Sequence, residues 1–217
     1  MYLYPLALKI EGRRCVVVGG GRVAERKVEA LRACGAKVTV VSPEFTSKLE
    51  ELALQGAIKV VQRTFEASDL DGALLAIAAT DDTAVNEAVV VAGKSRPVLV
   101  NVADVPLMCD FYVPASVNRG ALQITVSTSG ASPGFSRRLR RQLQDQFGPE
   151  YEIYLQMLAR LREELKKRVH GQEERQAILE SFLDSPALAC LAKGAVAEAE
   201  RLVEECLAGL PEGVPGE

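Results

Sequence analysis

The sequence predicts an α/β protein built on a parallel sheet, continued by a small α+β segment and an all-helical tail. Three observations carry that prediction. Short β-branched runs alternate with helical stretches through residues 6–101, the pattern of βαβ units. The helical stretches stop at glycines, where C-caps place them. Beyond Asn101 the alternation ceases, and from Tyr151 onward the apolar residues recur at helical spacing.

The runs at 15–18, 38–41, 58–62, 74–78 and 98–101 are short, apolar and bounded by turn or polar residues, as buried parallel strands are. Leu6, Leu8 and Ile10 alternate with other residues, which predicts an additional edge strand. Helices are predicted at 23–34, closed by Gly35, at 46–54, closed by Gly56, and at 81–92, closed by Gly93. An irregular stretch through Asp104 and Pro106 leads to an extended segment at 111–113 and a strand at 122–127. A serine-rich loop, 127–133, then opens a basic helix at 134–147. In the tail Tyr154, Met157, Leu158, Leu161 and Leu165 share one face, and Arg160, Arg162, Glu163, Lys166 and Lys167 fall largely on others, the pattern of a solvated face. Further helices are expected at 173–183 and 195–207, with a frayed Pro/Gly-rich end at 210–217.

With 217 residues, 48% of them hydrophobic, the chain can bury a core without staples. Its 26 basic and 29 acidic residues leave a net charge of −3, which argues against a general nucleic-acid partner. Cys15, Cys34, Cys109, Cys190 and Cys206 lack the paired spacing of a zinc site or a redox dithiol and read as reduced thiols. No apolar run approaches the roughly 20 residues a bilayer needs, and the start lacks a signal-peptide pattern, so a cytoplasmic protein with no membrane partner is expected. The single histidine, His170, sits near a helix end before Gly171, where it reads as a dipole partner rather than a catalyst.

Gly19, Gly21 and Ala24 fit the G-x-G-x-x-G/A pattern between the first strand and the first helix, with Gly20 inside it and Arg22 and Val23 opening the helix. In that setting Gly19 permits the tight turn, Gly21 lets the backbone approach a pyrophosphate, and Ala24 lets helix and strand pack closely. A Rossmann-type dinucleotide site follows, with a plain turn as the alternative. The acid that would bind the adenine ribose is not at the second strand end, which reads Ser42, Pro43, Glu44. Ser42 is expected in that role, and with no arginine there to greet a 2′-phosphate, NAD is favoured over NADP. Ala79, Thr80 and Asp81 follow the fourth strand, where small residues let a cofactor cross the sheet edge; Thr80 or Asp81 could instead cap the next helix.

Taken together, Gly-Gly-Gly-Arg-Val-Ala-Glu-Arg-Lys (19–27), Ala-Ala-Thr-Asp-Asp (78–82), Asn-Val-Ala-Asp (101–104), Pro114 and Ser-Thr-Ser-Gly-Ala-Ser-Pro (127–133) resemble the precorrin-2 dehydrogenases, the N-terminal module of sirohaem synthases and its stand-alone relatives. The resemblance runs from about Leu6 to at least Leu139. It implies NAD-dependent oxidation of precorrin-2 to sirohydrochlorin, in some members followed by Fe²⁺ insertion, in which iron is a substrate and no resident metal site is needed. It also implies a homodimer, with an NAD-binding domain at 1–113, a dimerisation segment at 114–148 and a helical domain at 149–217. Asn101 joins the expected cofactor contacts, and the family's key aspartate falls on Asp104. Thr128 departs from the serine that some relatives carry there as a modification site.

Oxidising precorrin-2 removes a hydride, which NAD⁺ accepts, and a proton, which needs a base. Asp104 lies just beyond the fifth strand and could supply it; a turn residue before Pro106 is the alternative, and Asp110 is a weaker candidate base. A polycarboxylate tetrapyrrole needs local positive charge. Arg137, Arg138, Arg140 and Arg141 offer it beside the loop carrying Ser129 and Ser132, with Arg119 as an outlying addition, although a solvated helix would use the same residues. From the residues alone, an NAD(H)-sensing module without catalysis remains a competing reading.

Overall fold

The computed structural model describes residues 3–210, so residues at 211–217, where a frayed end is expected, lie outside the described residues. The chain separates into two compact units, Met1–Val113 and Pro114–Glu217.

The first unit runs β1 (Arg14–Val18), α1 (Arg22–Ala33), β2 (Lys37–Val41), α2 (Ser47–Leu54), β3 (Lys59–Val61), β4 (Leu75–Ala78), α3 (Thr83–Lys94) and β5 (Leu99–Val102). Its strands form one five-stranded sheet in the order β3-β2-β1-β4-β5, parallel throughout. Chain direction across the sheet reverses between β1 and β4, so the crevice at their carboxyl ends is the topological switch point where such sheets bind ligands.

Alternation along the strands divides the core into two layers. Cys15, Val17, Val38, Val40 and Ile77 pack with Ala24 and Val28 of α1. Val16, Val18, Val41, Ala76 and Val100 pack with Val89 and Ala92 of α3. Each fully buried valine contributes on the order of 1.5–3 kcal/mol, so the sheet is a stiff base for the loops above it.

Two expectations are corrected here. The segment around Leu6 and Leu8 forms no strand: both side chains are exposed and only Ile10 reaches the core. A turn sends the chain straight into β1, with the Arg13 N–H on the Ile10 carbonyl at 3.0 Å and the Gly12 N–H on the Gly35 carbonyl at 2.8 Å. Gly35 and Gly56 do follow their helices with positive φ, +76° and +69°, but Gly93 lies inside α3. A Cβ there would overlap Val100, so Gly93 serves close helix-to-sheet packing rather than termination. The extended segment expected at 111–113 belongs to neither sheet.

The second unit begins with an antiparallel pair, β6 (Ala115–Arg119) and β7 (Leu122–Val126), turning at Gly120 with φ +55°. The sequence hid β6 because its alternation is carried by Val117 alone, between serine and asparagine. Helices α4 (Pro133–Gln146), α5 (Glu150–Arg168), α6 (Gln172–Leu183), α7 (Ala187–Ala192) and α8 (Val196–Ala208) follow. Their core is one cluster in which Tyr154, Met157, Leu161 and Leu165 of α5 meet Phe182, Leu191, Ala199 and Val203. The short α7, after Pro186, was not expected from the sequence. Among the described residues no helix is long and apolar enough to cross a membrane.

Candidate active site

A cleft of about 640 Å³ opens in the first unit at the ends of β1, β2 and β4. Gly19, Gly20, Gly21, Arg22, Val23, Ser42, Pro43, Glu44, Ala79, Thr80 and Asp81 line it, which brings together every expected cofactor residue except Ala24 and Asn101. Val18, Val41, Phe45, Thr46, Thr64, Phe65, Asp82 and Val85 complete the wall and were missed. The signal for Thr64 and Phe65 was their place just beyond β3, on the same sheet edge.

The glycines divide the work. Gly19 has φ +121°, a conformation closed to ordinary side chains, and a Cβ there would overlap the Ala79 carbonyl. At Gly20 a Cβ would overlap the Glu44 carbonyl, and the Thr46 N–H donates to the Gly20 carbonyl at 3.0 Å. Gly21 faces open space and is the N-cap of α1 without any side-chain cap. The amides of the first turn therefore point outward with the positive end of the helix dipole, a seat for a phosphate. Ala24 is fully buried beneath, in the contact that lets α1 lie on the sheet.

Along the rest of the wall, Ser42 is buried, and the Thr46 hydroxyl oxygen is buried without a hydrogen-bond partner. An unpaired buried hydroxyl beside the cleft suits a ligand that brings its own hydrogen-bonding groups. Neither Thr80 nor Asp81 caps α3. The cap is Asp82, whose carboxylate accepts from the Ala84 and Val85 N–H groups at 2.9 and 3.3 Å. Thr80 instead accepts the Asp82 N–H at 2.9 Å, and its carbonyl takes the Asn86 side-chain amide at 3.0 Å.

Asn101 does not line the cleft. It is buried, and its side-chain amide donates to the Phe111 carbonyl at 2.9 Å and toward Cys109 Sγ at 3.4 Å. Asp110 is also committed to the backbone, accepting the Val100 N–H at 2.8 Å. Asp104 differs from both. It is exposed, has φ +62°, and is the third residue of a turn closed by the Val105 N–H on the Val102 carbonyl at 3.3 Å. Positive φ at that turn position favours glycine or asparagine. Beside it on α1 stands the half-buried Lys27. Burial pushes the Lys27 amine below its usual range and Arg26 adds to that, while the charges of Asp104 and Cys109 pull it back.

In the second unit, Ser129 sits at φ +52° in the loop before α4. The Ser132 hydroxyl caps α4 by accepting the Phe135 N–H at 3.2 Å. Thr128 Oγ1 lies 3.1 Å from the buried Ser136 hydroxyl and accepts the Ser132 N–H. Arg137, Arg138 and Arg141 are exposed and Arg140 half-buried, and none of them forms an ion pair among the described residues. Arg119 is not part of that face: it donates to the Phe147 and Gln144 carbonyls at 2.9 and 3.1 Å, closing the end of α4. His170 lies exposed just beyond the end of α5, its carbonyl taking Arg175.

Comparison with known proteins decides the family. A family model described as NAD(P)-binding matches residues 6–115. The sirohaem biosynthesis protein central model matches 119–146, and the sirohaem synthase dimerisation region matches 155–207. The chain belongs to the sirohaem synthase family. Its first unit is an NAD(P)-binding domain. The family's dimerisation description falls on 155–207, whereas the sequence reading placed a dimerisation segment at 114–148.

Within the family, the chain is 39% identical over 209 residues to the sirohaem synthase of Nitrosococcus oceani, covering 96% of this chain and 45% of that protein. With the sirohaem synthase of Methylobacillus flagellatus it is 36% identical, covering 100% and 46%. It thus spans about half the length of the curated relatives it matches. Among solved structures, SirC, a precorrin-2 dehydrogenase, superposes with a TM-score of 0.78 at 27% identity, covering 94% of this chain and 100% of that one.

Proposed function

We propose that this chain dehydrogenates precorrin-2 to sirohydrochlorin with NAD⁺ as oxidant, acting as a homodimer joined through its helical region. The observation that carries the reading is Asp104: an exposed carboxylate in a backbone conformation that favours glycine, at the carboxyl end of β5 on the edge where the cleft opens. A non-glycine residue held at positive φ is a common mark of a working site. Full-length likeness to SirC supports the same assignment.

Each residue then has a role. Gly21 and the first turn of α1 seat the pyrophosphate, and Gly19 and Gly20 let the main chain close around it. Ser42 and Glu44 meet the adenosine ribose. Asp104 accepts the proton lost from the tetrapyrrole. When bound, the nicotinamide supplies the two-electron acceptor for the hydride. Arg137, Arg138 and Arg141, with Ser129 and Ser132, hold substrate carboxylates.

NAD is preferred over NADP because the cleft's lining holds one basic residue, Arg22, and it stands on the phosphate side at the start of α1. Just beyond β3, the strand paired with β2, Arg63 is engaged in a two-pronged bond to Asp69 at 2.8 Å. Titration should give an affinity for NAD⁺ about tenfold or more above that for NADP⁺, a gap of about 1.4 kcal/mol. Equal affinities would remove the assignment of Ser42.

The deciding assay is anaerobic turnover of precorrin-2 with NAD⁺ by the wild type and Asp104→Asn. Asparagine tolerates positive φ, so this variant keeps the turn and removes only the base. It should bind NAD⁺ normally and lose activity by about 10²–10⁴-fold. Wild-type turnover in Asp104→Asn would discard the mechanism.

A further inference from the structure

The loop carrying Asp104 leaves β5 at Val102 and returns along the free edge of the sheet through Cys109, Asp110 and Phe111. Odd-numbered residues at this edge pair with β4: the Leu99 N–H meets the Leu74 carbonyl at 3.1 Å, and the Ala103 N–H meets the Ala78 carbonyl at 2.9 Å. Val100 and Val102 therefore turn their backbone groups outward and need other partners. Val100 finds both on Asp110, accepting its N–H at 2.8 Å and donating to its carboxylate at 2.8 Å. At Val102 the partner is a thiol. The Val102 N–H donates to Cys109 Sγ at 3.2 Å, and the thiol lies 3.2 Å from the Val102 carbonyl and 3.3 Å from the Val105 carbonyl, with one hydrogen to give. The amide of Asn101 donates toward the same sulfur at 3.4 Å.

Val102 and Val105 are the first and last residues of the turn whose third residue is Asp104, so this one sulfur touches both ends of the segment that aims the carboxylate. We propose that Cys109 is a positioning residue, its thiol fixing the 102–105 turn so that Asp104 is presented for proton transfer. The inference rests on the reading of Asp104 as the base. It explains why Asn101, expected at the cofactor, is spent on Cys109 and Phe111. It also gives the Cys109 thiol a set of main-chain partners, one N–H and two carbonyls, that ties two points of one turn together.

The test is a double-mutant cycle in the full chain, with Cys109→Ala, Cys109→Ser and Asp104→Asn, read by NAD⁺ titration and anaerobic precorrin-2 turnover. Cys109→Ala should lower kcat by about tenfold or more and leave the Kd for NAD⁺ within about twofold. Cys109→Ser, which keeps a donor and an acceptor, should recover most of the loss. In the Asp104→Asn background the Cys109→Ala change should alter the residual rate by less than about twofold, because it acts through a group already gone. Hydrogen exchange of the Val102 and Val105 amides should quicken in Cys109→Ala and stay slow in Cys109→Ser. Unchanged kcat in Cys109→Ala, or an equal loss in both Asp104 backgrounds, overturns the positioning role. Normal turnover in Asp104→Asn alone overturns the base itself, a result visible before Cys109 is touched.

Discussion

Helices α4 and α5 both carry runs of basic side chains, yet they dispose of the charge in opposite ways. On α5 all the cations but Arg162 are answered: Lys166 by Glu163 at 2.7 Å, Lys167 by Glu164 at 2.7 Å, Arg168 by Glu164 at 3.2 Å and Arg160 by Glu200 of α8 at 2.6 Å. On α4 no acid stands three or four residues from Arg137 or Arg138, and Arg137, Arg138, Arg140 and Arg141 stay unpaired among the described residues. Paired charges on a helix flank keep it soluble and do little else. Unpaired ones raise the local potential and draw anions to the surface. Two runs that look alike in composition are thus different objects, and the difference lies in the acids around them.

On this view α5 works through its buried face and α4 through its exposed one, and substitutions should separate the two. The largest effect is expected at Leu161, fully buried on α5. Leu161→Ala should cost about 2–5 kcal/mol in a urea titration. A much smaller cost would mean that the helical core repacks freely. Next, replacing Arg137, Arg138 and Arg141 together by glutamine should raise KM for precorrin-2 about tenfold or more, or about 1.4 kcal/mol. Stability and NAD⁺ affinity should hold, and the effect should fade as salt rises. An unchanged KM would place α4 with α5 as a solvated face. The smallest effect is expected from Glu163→Gln, with no measurable change in Tm at physiological salt. The Lys166 ammonium holds the Glu163 carboxyl below its usual range, as Lys167 does for Glu164. Their contribution is present above the ordinary glutamate range and disappears as pH falls through the lowered values. It should therefore be visible only as a slight acid sensitivity at low salt that Glu163→Gln reduces.

The sheet was legible because each of its central strands is a short apolar run buried on both faces, and boundaries moved by a residue or so. The glycine cradle was legible for a similar reason: Gly19 needs positive φ and Gly20 abuts a carbonyl, constraints that only one residue type meets. What stayed hidden depended on partners distant in sequence. Leu6 and Leu8 alternate like a strand but pair with none. Gly93 reads as a stop signal, yet what it answers is Val100 on β5. The assignment of Asn101 to the cofactor failed to anticipate a donor turned toward Cys109 and Phe111, eight and ten residues away. Arg119, grouped with its fellow arginines by charge, closes the end of α4 instead.

The contact between Gly20 and the Glu44 carbonyl has a consequence for how such a cleft could be redesigned. The width of the cleft at that point is set by main chain against main chain, with the Ser42 hydroxyl the one side-chain group among the nearest atoms. It behaves as a fixed gauge. Selection for a bulkier or more highly charged nucleotide would have to act at the side chains of Ser42 and Glu44, on the rim, and leave the glycines alone. Variants isolated in a screen for altered cofactor preference should accordingly cluster at those two rim positions, while substitutions at Gly20 should appear only among inactive clones.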